Sequence, residues 1–405
     1  MTDTTDIIYY NCNMVSSDQS NVSWKTAPIA YFSESRDKPI IKNSSQYKMS
    51  IVRFNMQTKT IPLFIPDIVV GQSNINLTNW QISATIYTYW QPPYVFGTIG
   101  QYFTSTKTVN FYPRDLRSPT PQAPLTSIDL DSTDYYYCYD YQHFCTMINN
   151  TFDAIYLDLS TQLATYLSNG GNPNVPLTTK VPRLKYDPTT NLFTLLTDTY
   201  GTGSPYSNSV FTNKYEQMNI SFNHELWGLL ANFPAIAQGS NFYQISILNN
   251  LDNIFVPIDP STGSQNKNLG VYWQTIQTYP STSMFFNPVD SIAVSSSLLP
   301  NENELLGKTL NYGTNNLVVT ATGNNFLPLI SDYSNFQENA HTYNTFTQYV
   351  PSAEYRMIQL TSADTDIHNV DITLFWKNRI TNQFHPIRLS YGASVSLKIM
   401  FRKDY

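Results

Sequence analysis

Charged side chains are scarce in this 405-residue sequence. Only 13% of its residues are Asp, Glu, Lys or Arg, which is about half of the usual proportion in soluble globular domains. The 23 Lys and Arg residues are outnumbered by 29 Asp and Glu residues, giving a net charge of −6, and they form no basic run. Sequence-independent nucleic-acid binding needs several cations on one face, so the sequence disfavours direct contact with nucleic acid.

Cysteine is also scarce. Cys12, Cys138 and Cys145 are odd in number and widely spread, which is not the pattern of a disulfide framework. His143 lies between the last two cysteines, but this set lacks a fourth ligand for zinc. We therefore predict reduced thiols, no metal and no other cofactor, and folding in a reducing compartment.

Long apolar runs are missing. No window approaches 18 consecutive apolar residues, so the sequence predicts no membrane span. The opening MTDTTDIIYYNCNMVSSDQ has neither a basic region nor an apolar core of the length that a signal peptide needs. A weakly charged surface rich in Asn, Ser and Thr suits contact with other proteins, although a solvated monomer is an alternative.

Complete catalytic motifs are missing as well. Asp129, Asp131 and Thr133 match the D-x-D-x-T pattern of phosphatases that form an aspartyl-phosphate. That chemistry requires the motif to end a buried parallel strand, whereas here it follows a proline-rich segment. His224-Glu225 begins an H-E-x-x-H zinc motif, but the second histidine is absent. We therefore predict that the protein is not an enzyme, with a phosphatase as a minor alternative.

Apolar residues that alternate with polar ones are abundant. The best case is VSLKIMFR, which places Val395, Leu397, Ile399 and Phe401 on one face. Roughly ten to twelve such strands are separated by loops rich in Pro, Gly, Asn and Ser, a spacing typical of all-β sandwiches and jelly rolls. The sequence predicts a mainly β protein with a jelly-roll β-sandwich base and an inserted domain that is mixed α/β or a second β unit.

One segment has the helical period instead. Apolar residues recur every three or four positions from Phe144 to Leu167, and Asn169-Gly170-Gly171 follows as a helix terminator. A segment with three prolines, RSPTPQAP, lies upstream of this helix. These signals divide the chain into an N-terminal arm at 1–45, a base at 46–113 plus 241–405, and an insert at 114–240 with a helix at about 144–167.

The stretch TDYYYCYDYQHF, residues 133–144, concentrates tyrosines immediately before that helix. Tyrosine combines a large apolar face with a polar tip, which suits half-buried contact surfaces. We consider three interpretations: a solvent-facing strand with cross-strand aromatic pairs, a contact with a neighbouring subunit, and a sugar-binding platform. The candidate subunit interface comprises Tyr135, Tyr136, Tyr137, Tyr139 and Tyr141.

The N-terminal arm is polar and weakly patterned, with a short apolar group near its start. Such arms are either disordered or ordered by a partner. We expect the arm to become ordered on assembly, so that removal of residues 1–40 leaves a folded protein that fails to assemble. The candidate assembly residues are Ile7, Ile8, Tyr9 and Tyr10.

Several segments, spread over most of the chain after residue 45, resemble the minor capsid, or penton, proteins of virophages and polinton-like viruses. They include the following: YKMSIVRFNMQTKTIPLFIP (47–66), PRLKYDPTTNLFTLLTD (182–198), EQMNISFNHELWGLLANF (216–233), SIAVSSSLLPNENELLG (291–307), VPSAEYRMIQLTSADTD (350–366) and GASVSLKIMFRK (392–403). The last of these fits a final jelly-roll strand.

The resemblance implies a structural protein of the virion, synthesised in the host-cell cytoplasm. Its jelly-roll base would lie at the icosahedral five-fold vertices as a homopentamer and contact the major capsid protein. The family has no active-site residues to transfer to this sequence. The alternative is a β-sandwich attachment or glycan-binding protein that uses the tyrosine-rich surface.

Overall fold

The computed structural model describes most of the chain. It covers the following residues: 6–17, 28–57, 61–69, 76–88, 101–112, 136–170, 181–198, 218–247, 254–266, 272–281, 288–300, 304–305, 310–312, 318–320, 326–334, 347–349, 356–360, 365–379, 383–389 and 392–404.

Antiparallel strands dominate the described residues, as the sequence predicts. In chain order the strands are β1 (Ile7–Val15), β2 (Tyr31–Ser35), β3 (Tyr47–Met56), β4 (Leu77–Thr88), β5 (Gln101–Asn110), β6 (Arg183–Asp187), β7 (Leu192–Asp198), β8 (Asn219–Asn223), β9 (Ala235–Gln238), β10 (Phe242–Ile245), β11 (Ile254–Phe255), β12 (Tyr272–Ile276), β13 (Val289–Ser295), β14 (Glu304–Leu305), β15 (Leu310–Tyr312), β16 (Val318–Thr320), β17 (Phe326–Leu327), β18 (Leu329–Ser334), β19 (Thr347–Tyr349), β20 (Ile358–Gln359), β21 (Asn369–Asn378), β22 (Phe384–Pro386) and β23 (Ser394–Lys403). The helices are α1 (Tyr141–Ser168) and α2 (His224–Leu229).

The base is a sandwich of two sheets built from both ends of the chain. One sheet has the order β1-β23-β3-β19, with β20 also paired to β3, and the other has the order β18-β13-β21-β2, with β22 paired to β21. The eight main strands of the base are, in chain order, β1, β2, β3, β13, β18, β19 together with β20, β21 and β23. Numbered one to eight in this way, the two sheets have the strand orders 1-8-3-6 and 5-4-7-2. This interleaving of first with last and second with seventh strand is the jelly-roll topology.

The base core lies between the two sheets, and strand periodicity explains it. Val395, Leu397, Ile399 and Phe401 of β23 are all buried on one face, in agreement with their predicted alternation. Phe54 of β3 is among their neighbours in this core, and its ring stacks on a tyrosine of β18 from the opposite sheet at a centroid distance of 5.3 Å. The fold class predicted from the sequence is confirmed.

A second domain is built around a separate core. Its sheets have the orders β5-β4-β8-β10-β9 and β11-β12-β7-β6, and α1 contacts both β5 and β6. The buried helix residues recur at three or four: Phe144, Ile148, Phe152, Ile155, Leu159 and Leu163. Together with buried residues of β4, β5, β7 and β8 they form a hydrophobic cluster distinct from the base core.

Helix α1 begins three residues before the predicted start near 144. The Asp140 carboxylate accepts a hydrogen bond from the backbone N–H of His143 at 2.7 Å, which is the geometry of an N-cap. At the other end Gly170 adopts a φ of 86°, a left-handed conformation that glycine reaches without strain. The predicted Asn-Gly terminator therefore lies where the helix ends.

The second domain is larger than the predicted insert at 114–240. Strands β4 and β5, which the sequence assigned to the base, belong to the second domain, because β4 pairs with β8 and β5 pairs with β4. Strands β10, β11 and β12 also belong to its sheets. The insert therefore occupies the chain between β3 and β13. The period of two identifies a strand and its buried face, but it contains no information about which strand is its partner.

The predicted arm at 1–45 is also corrected by the sheet topology. Strand β1 pairs with β23 along its whole length, from Ile7 opposite Arg402 to Val15 opposite Ser394, and β2 pairs with β21. Both are strands of the jelly roll within this chain. Strand β1 alternates as a strand should, since Tyr10, Cys12 and Met14 are buried while Asn11 and Asn13 between them are exposed.

Candidate functional site

The tyrosine-rich stretch forms the junction between the two domains. Its backbone is anchored to the segment that follows β3: Leu63 N–H donates to the Cys138 carbonyl at 2.7 Å, and Cys138 N–H donates to the Phe64 carbonyl at 3.0 Å. This short antiparallel bridge places residues 136–140 between the base core and the second core. The stretch therefore reaches both cores within one protomer.

Successive side chains of the junction point alternately to the two domains. Tyr137 enters the base core, where its ring centroid lies 5.6 Å from that of Trp376 and 6.4 Å from that of His385. Tyr139 packs against the same core. Tyr136, Cys138 and Tyr141 face the second core instead, and Tyr141 stacks on a tyrosine of β6 at 4.1 Å. Extended backbone geometry explains this alternation.

The predicted subunit interface is wrong for two of its residues. Tyr137 and Tyr141 are only 4% and 5% exposed inside the chain, so their rings are not available to a neighbouring subunit or to a sugar. Tyr136 and Tyr139 are half-buried against the two cores, and Tyr135 lies outside the described residues. The observed role of the described tyrosines is packing between domains, which none of the three interpretations anticipated.

The candidate assembly residues divide between the two faces of β1. Tyr10 is buried, and its hydroxyl donates to the Glu34 carboxylate of β2. Arg36 donates to the same carboxylate from Nε at 2.7 Å. These hydrogen bonds, from Arg36 first and then Tyr10, lower the pKa of Glu34. They join β1 to β2 where the two sheets meet. Ile8 is half-buried.

Ile7 and Tyr9 point in the opposite direction and are exposed by 40% and 55%. They belong to a surface that we call the outer face, because it lies on the side of the β1–β23–β3 sheet away from the base core. It comprises Ile7, Tyr9 and Asn11 of β1, Lys398 and Arg402 of β23, and Lys48 and Arg53 of β3. The sequence analysis missed its four cations, because they are dispersed along the chain and only strand pairing brings them together.

Of the two motif matches considered for catalysis or zinc binding, only His224-Glu225 lies in the part of the chain that the structure describes, and it forms no metal site there. Asp129, Asp131 and Thr133 lie outside the described residues. His224 contacts a tyrosine hydroxyl of β10 through Nδ1 at 3.3 Å, and Glu225 accepts from the Asn223 side chain at 2.6 Å. Within the described ranges, no group of three or more His, Cys, Asp or Glu is placed to hold a metal ion.

Neither helix in these ranges combines the length and hydropathy needed to cross a membrane.

All three cysteines are buried free thiols. Burial, followed by the nearby Glu34 carboxylate, raises the pKa of Cys12 to about 12. Burial, followed by the Asp140 carboxylate, raises the pKa of Cys145 to about 12 and also raises that of Cys138. Because the thiolate is the reactive form, these side chains act as small apolar core residues.

Comparison with known proteins places the fold in a family. A family model described as Sputnik minor capsid protein V18/19 matches residues 8–403. The chain belongs to this family. The uncharacterized protein V18 of Sputnik virophage is 36% identical over 136 residues, which are 32% of this chain and 73% of that protein.

Two solved structures share the fold over almost the whole chain. A chain from the cryo-EM structure of the Sputnik virophage matches with a TM-score of 0.67 and 23% identity over 98% of both chains. The crystal structure of the mavirus penton protein matches with a TM-score of 0.55 and 16% identity over 98% of this chain and 99% of that one. At these identities they show the fold alone. The family model confirms the resemblance and the assignment to virion structural proteins of the minor capsid class.

Proposed function

We propose that the chain is a penton protein that closes the icosahedral five-fold vertices of a virion as a homopentamer and contacts the surrounding major capsid protein. The observation that carries this proposal is the family match over residues 8–403, which spans both the jelly-roll base and the inserted domain. In this role the protein is structural and not catalytic. It uses no cofactor and does not bind nucleic acid directly.

The geometry of the base supports a closed ring. Copies around a five-fold axis meet through two different faces, because only such a heterologous contact can close as a ring. The base has two sheets built from different strands, so its two outer surfaces differ. Ile7 and Tyr9 are exposed along the edge strand of one of these sheets. A neighbouring copy over this strand would also cover an edge that is otherwise open to aggregation.

The proposed site of synthesis is the host-cell cytoplasm. Three buried thiols without a disulfide are compatible with folding in a reducing compartment. The assembled pentamer would then reside at the capsid vertex.

The native mass of the purified protein tests the proposal. Five copies of the 46.2 kDa chain would weigh 5 × 46.2 = 231 kDa by light scattering or native mass spectrometry. A pentamer is the expected result. A stable trimer would contradict the vertex assignment and favour a different capsid position. For a monomer, co-expression with the major capsid protein decides the question: absence of the chain from purified capsids would exclude the penton role.

A further inference from the structure

The outer face contains two directly opposed pairs of like charge. In the pairing of β23 with β3, Lys398 lies opposite Arg53 and Arg402 lies opposite Lys48. Side chains directly opposite each other on one face of an antiparallel pair have Cβ atoms about 4.5–5.5 Å apart, and like charges at that spacing are destabilising. The buried pair Met400 and Ser50 lies between these two rows on the same face, and the two like-charged pairs concentrate positive charge on a chain that is acidic overall.

Only one of these four cations is neutralised within the described residues. Lys48 Nζ lies 2.7 Å from a carboxylate oxygen of Asp404. Lys398 Nζ lies 5.2 Å from the Tyr9 ring centroid, a cation–π contact that leaves its charge without a counter-ion. Arg53 Nε is inaccessible to solvent and has no hydrogen-bond partner among the described residues. A buried, unsatisfied donor of this kind lowers stability.

The surface around these cations fits a protein partner better than nucleic acid. Exposed Ile7 and Tyr9 lie beside them, and tyrosine and arginine are enriched in protein–protein interfaces. Three uncompensated cations are few compared with the roughly six to ten phosphate contacts of typical nucleic-acid binders. The partner should therefore combine an apolar contact surface with carboxylates.

A second copy of this chain supplies the complementary charge. The whole chain has a net charge of −6. Because the outer face carries positive charge, the net charge of all the other residues together is more negative than −6. A positive surface on one copy and a net negative remainder on the next favour contact between copies.

We propose that the outer face is the contact through which each copy binds carboxylates on the adjacent copy in the pentamer. This inference rests on the proposed homopentamer and adds to it the residues of one side of the subunit contact. Arg53 and Lys398 bind the partner carboxylates, while Ile7 and Tyr9 supply the apolar part of the contact.

Charge reversal at one position tests the proposal without unfolding the base. Lys398→Glu replaces the repulsive pair with Arg53 by an attractive one, so the isolated chain keeps or raises its melting temperature. The same substitution places a carboxylate against the partner's acidic surface. We expect the concentration at which the pentamer is half dissociated, measured by light scattering, to rise at least about tenfold. Added salt should weaken the wild-type pentamer for the same electrostatic reason.

Lys38→Glu is the matched control. It changes the net charge by the same amount at an exposed residue between β2 and β3, away from the outer face, and should leave the pentamer unchanged. Equal stability of Lys398→Glu and Lys38→Glu pentamers would overturn the inference while leaving the penton role intact. A wild-type protein that never forms pentamers would instead overturn the penton proposal and this contact together.

Labelled duplex DNA at low salt provides the remaining test. We expect no saturable binding by the wild-type protein. Saturable binding that Lys398→Glu abolishes, with an unchanged pentamer mass, would assign the outer face to nucleic acid and overturn the inference.

Discussion

Tyr137 connects the inserted domain to the base through a single buried ring. It is 4% exposed and packs edge-on against Trp376 and His385, which stack on each other at a centroid distance of 4.5 Å. Each of these aromatic contacts belongs to the base core, although the tyrosine is only four residues from the first residue of α1. At this position packing energy and domain orientation depend on the same side chain.

Replacement of Tyr137 should therefore destabilise the protein strongly. We expect Tyr137→Ala to lower the free energy of unfolding by about 3 to 5 kcal/mol, because it leaves a large cavity between fixed aromatic rings. Urea denaturation followed by tryptophan fluorescence measures this change. Tyr279→Ala removes the same side chain at a position that is 67% exposed and should have an effect below about 0.5 kcal/mol. Similar values for the two variants would contradict the junction role.

Asp371 is a second residue whose environment predicts a measurable effect. It lies on β21, is 2% exposed, and fixes the loop after β13. Its carboxylate accepts from the Ser296 hydroxyl at 2.6 Å, from the N–H and hydroxyl of Ser297, and from the Leu298 N–H at 2.8 Å. Burial by itself raises the pKa of Asp371, but these hydrogen bonds outweigh it and the pKa is lowered.

We expect Asp371→Asn to reduce the free energy of unfolding by about 2 kcal/mol at neutral pH, since several charge-assisted hydrogen bonds are weakened. A folded-state pKa below the unfolded value of about 3.9 means that this stabilisation is present above about pH 4. It is lost as the pH falls through the folded-state pKa. The difference between wild type and variant should therefore shrink in acid.

Asp332→Asn provides the control for this prediction. Asp332 is in the same sheet but exposed, and it pairs with Arg356 at 3.3 Å. Exposed pairs contribute little, so its replacement should change stability by less than about 1 kcal/mol at any pH. Urea unfolding at several pH values distinguishes the two carboxylates. A pH-independent loss in Asp371→Asn would show that the charge is not what matters.

At the scale of elements, β1 and β2 complete the two sheets of the base. Among the described strands, β1 pairs with β23 alone, and it contributes Tyr10, Cys12 and Met14 to the core. Strand β2 occupies the corresponding edge of the other sheet. The sequence suggested an arm because these strands are separated by a polar segment and lie far along the chain from their partners β23 and β21.

Truncation distinguishes an arm from two sheet strands. Removal of residues 1–40 deletes β1 and β2 and exposes the apolar face of β23, so we expect an insoluble or unfolded base, contrary to the sequence prediction. Removal of residues 1–5, which precede β1, should leave the near-ultraviolet circular dichroism unchanged. A soluble protein with a native spectrum after the longer truncation would show that the two strands are dispensable for folding.

At the scale of the whole molecule, the chain contains two cores joined by the tyrosine junction. No buried residue belongs to both clusters among the described residues. Domains with separate cores can unfold in separate steps, and each mutation then affects the step of its own core.

Calorimetry should therefore resolve two transitions with different mutational responses. Leu159→Ala empties a fully buried position of α1 and should lower one melting temperature by about 5 to 15 °C, while Tyr137→Ala should lower chiefly the other. Leu157→Ala, on the same helix but 69% exposed, is the control. Equal shifts of both transitions in every variant would mean that the two cores unfold as one unit.

Local sequence patterns were sufficient to assign most elements as strand or helix. A period of two in VSLKIMFR and a period of 3.6 from Phe144 to Leu163 report which face of an element is buried, and side-chain chemistry alone produces that pattern. Family-like segments also allowed the capsid assignment to be predicted. Both predictions depend on information contained in single stretches of chain.

The pairing of the strands and the contacts of the tyrosines became known from the fold and not from local patterns. Hydrophobic periodicity is the same for a strand in either domain, so only the pairing of β4 with β8, and of β5 with β4, assigns these two strands to the second domain. The opposition of Lys398 to Arg53 likewise requires a register between segments more than 300 residues apart. Such long-range contacts are determined by the joint packing of the whole chain, which no local pattern records.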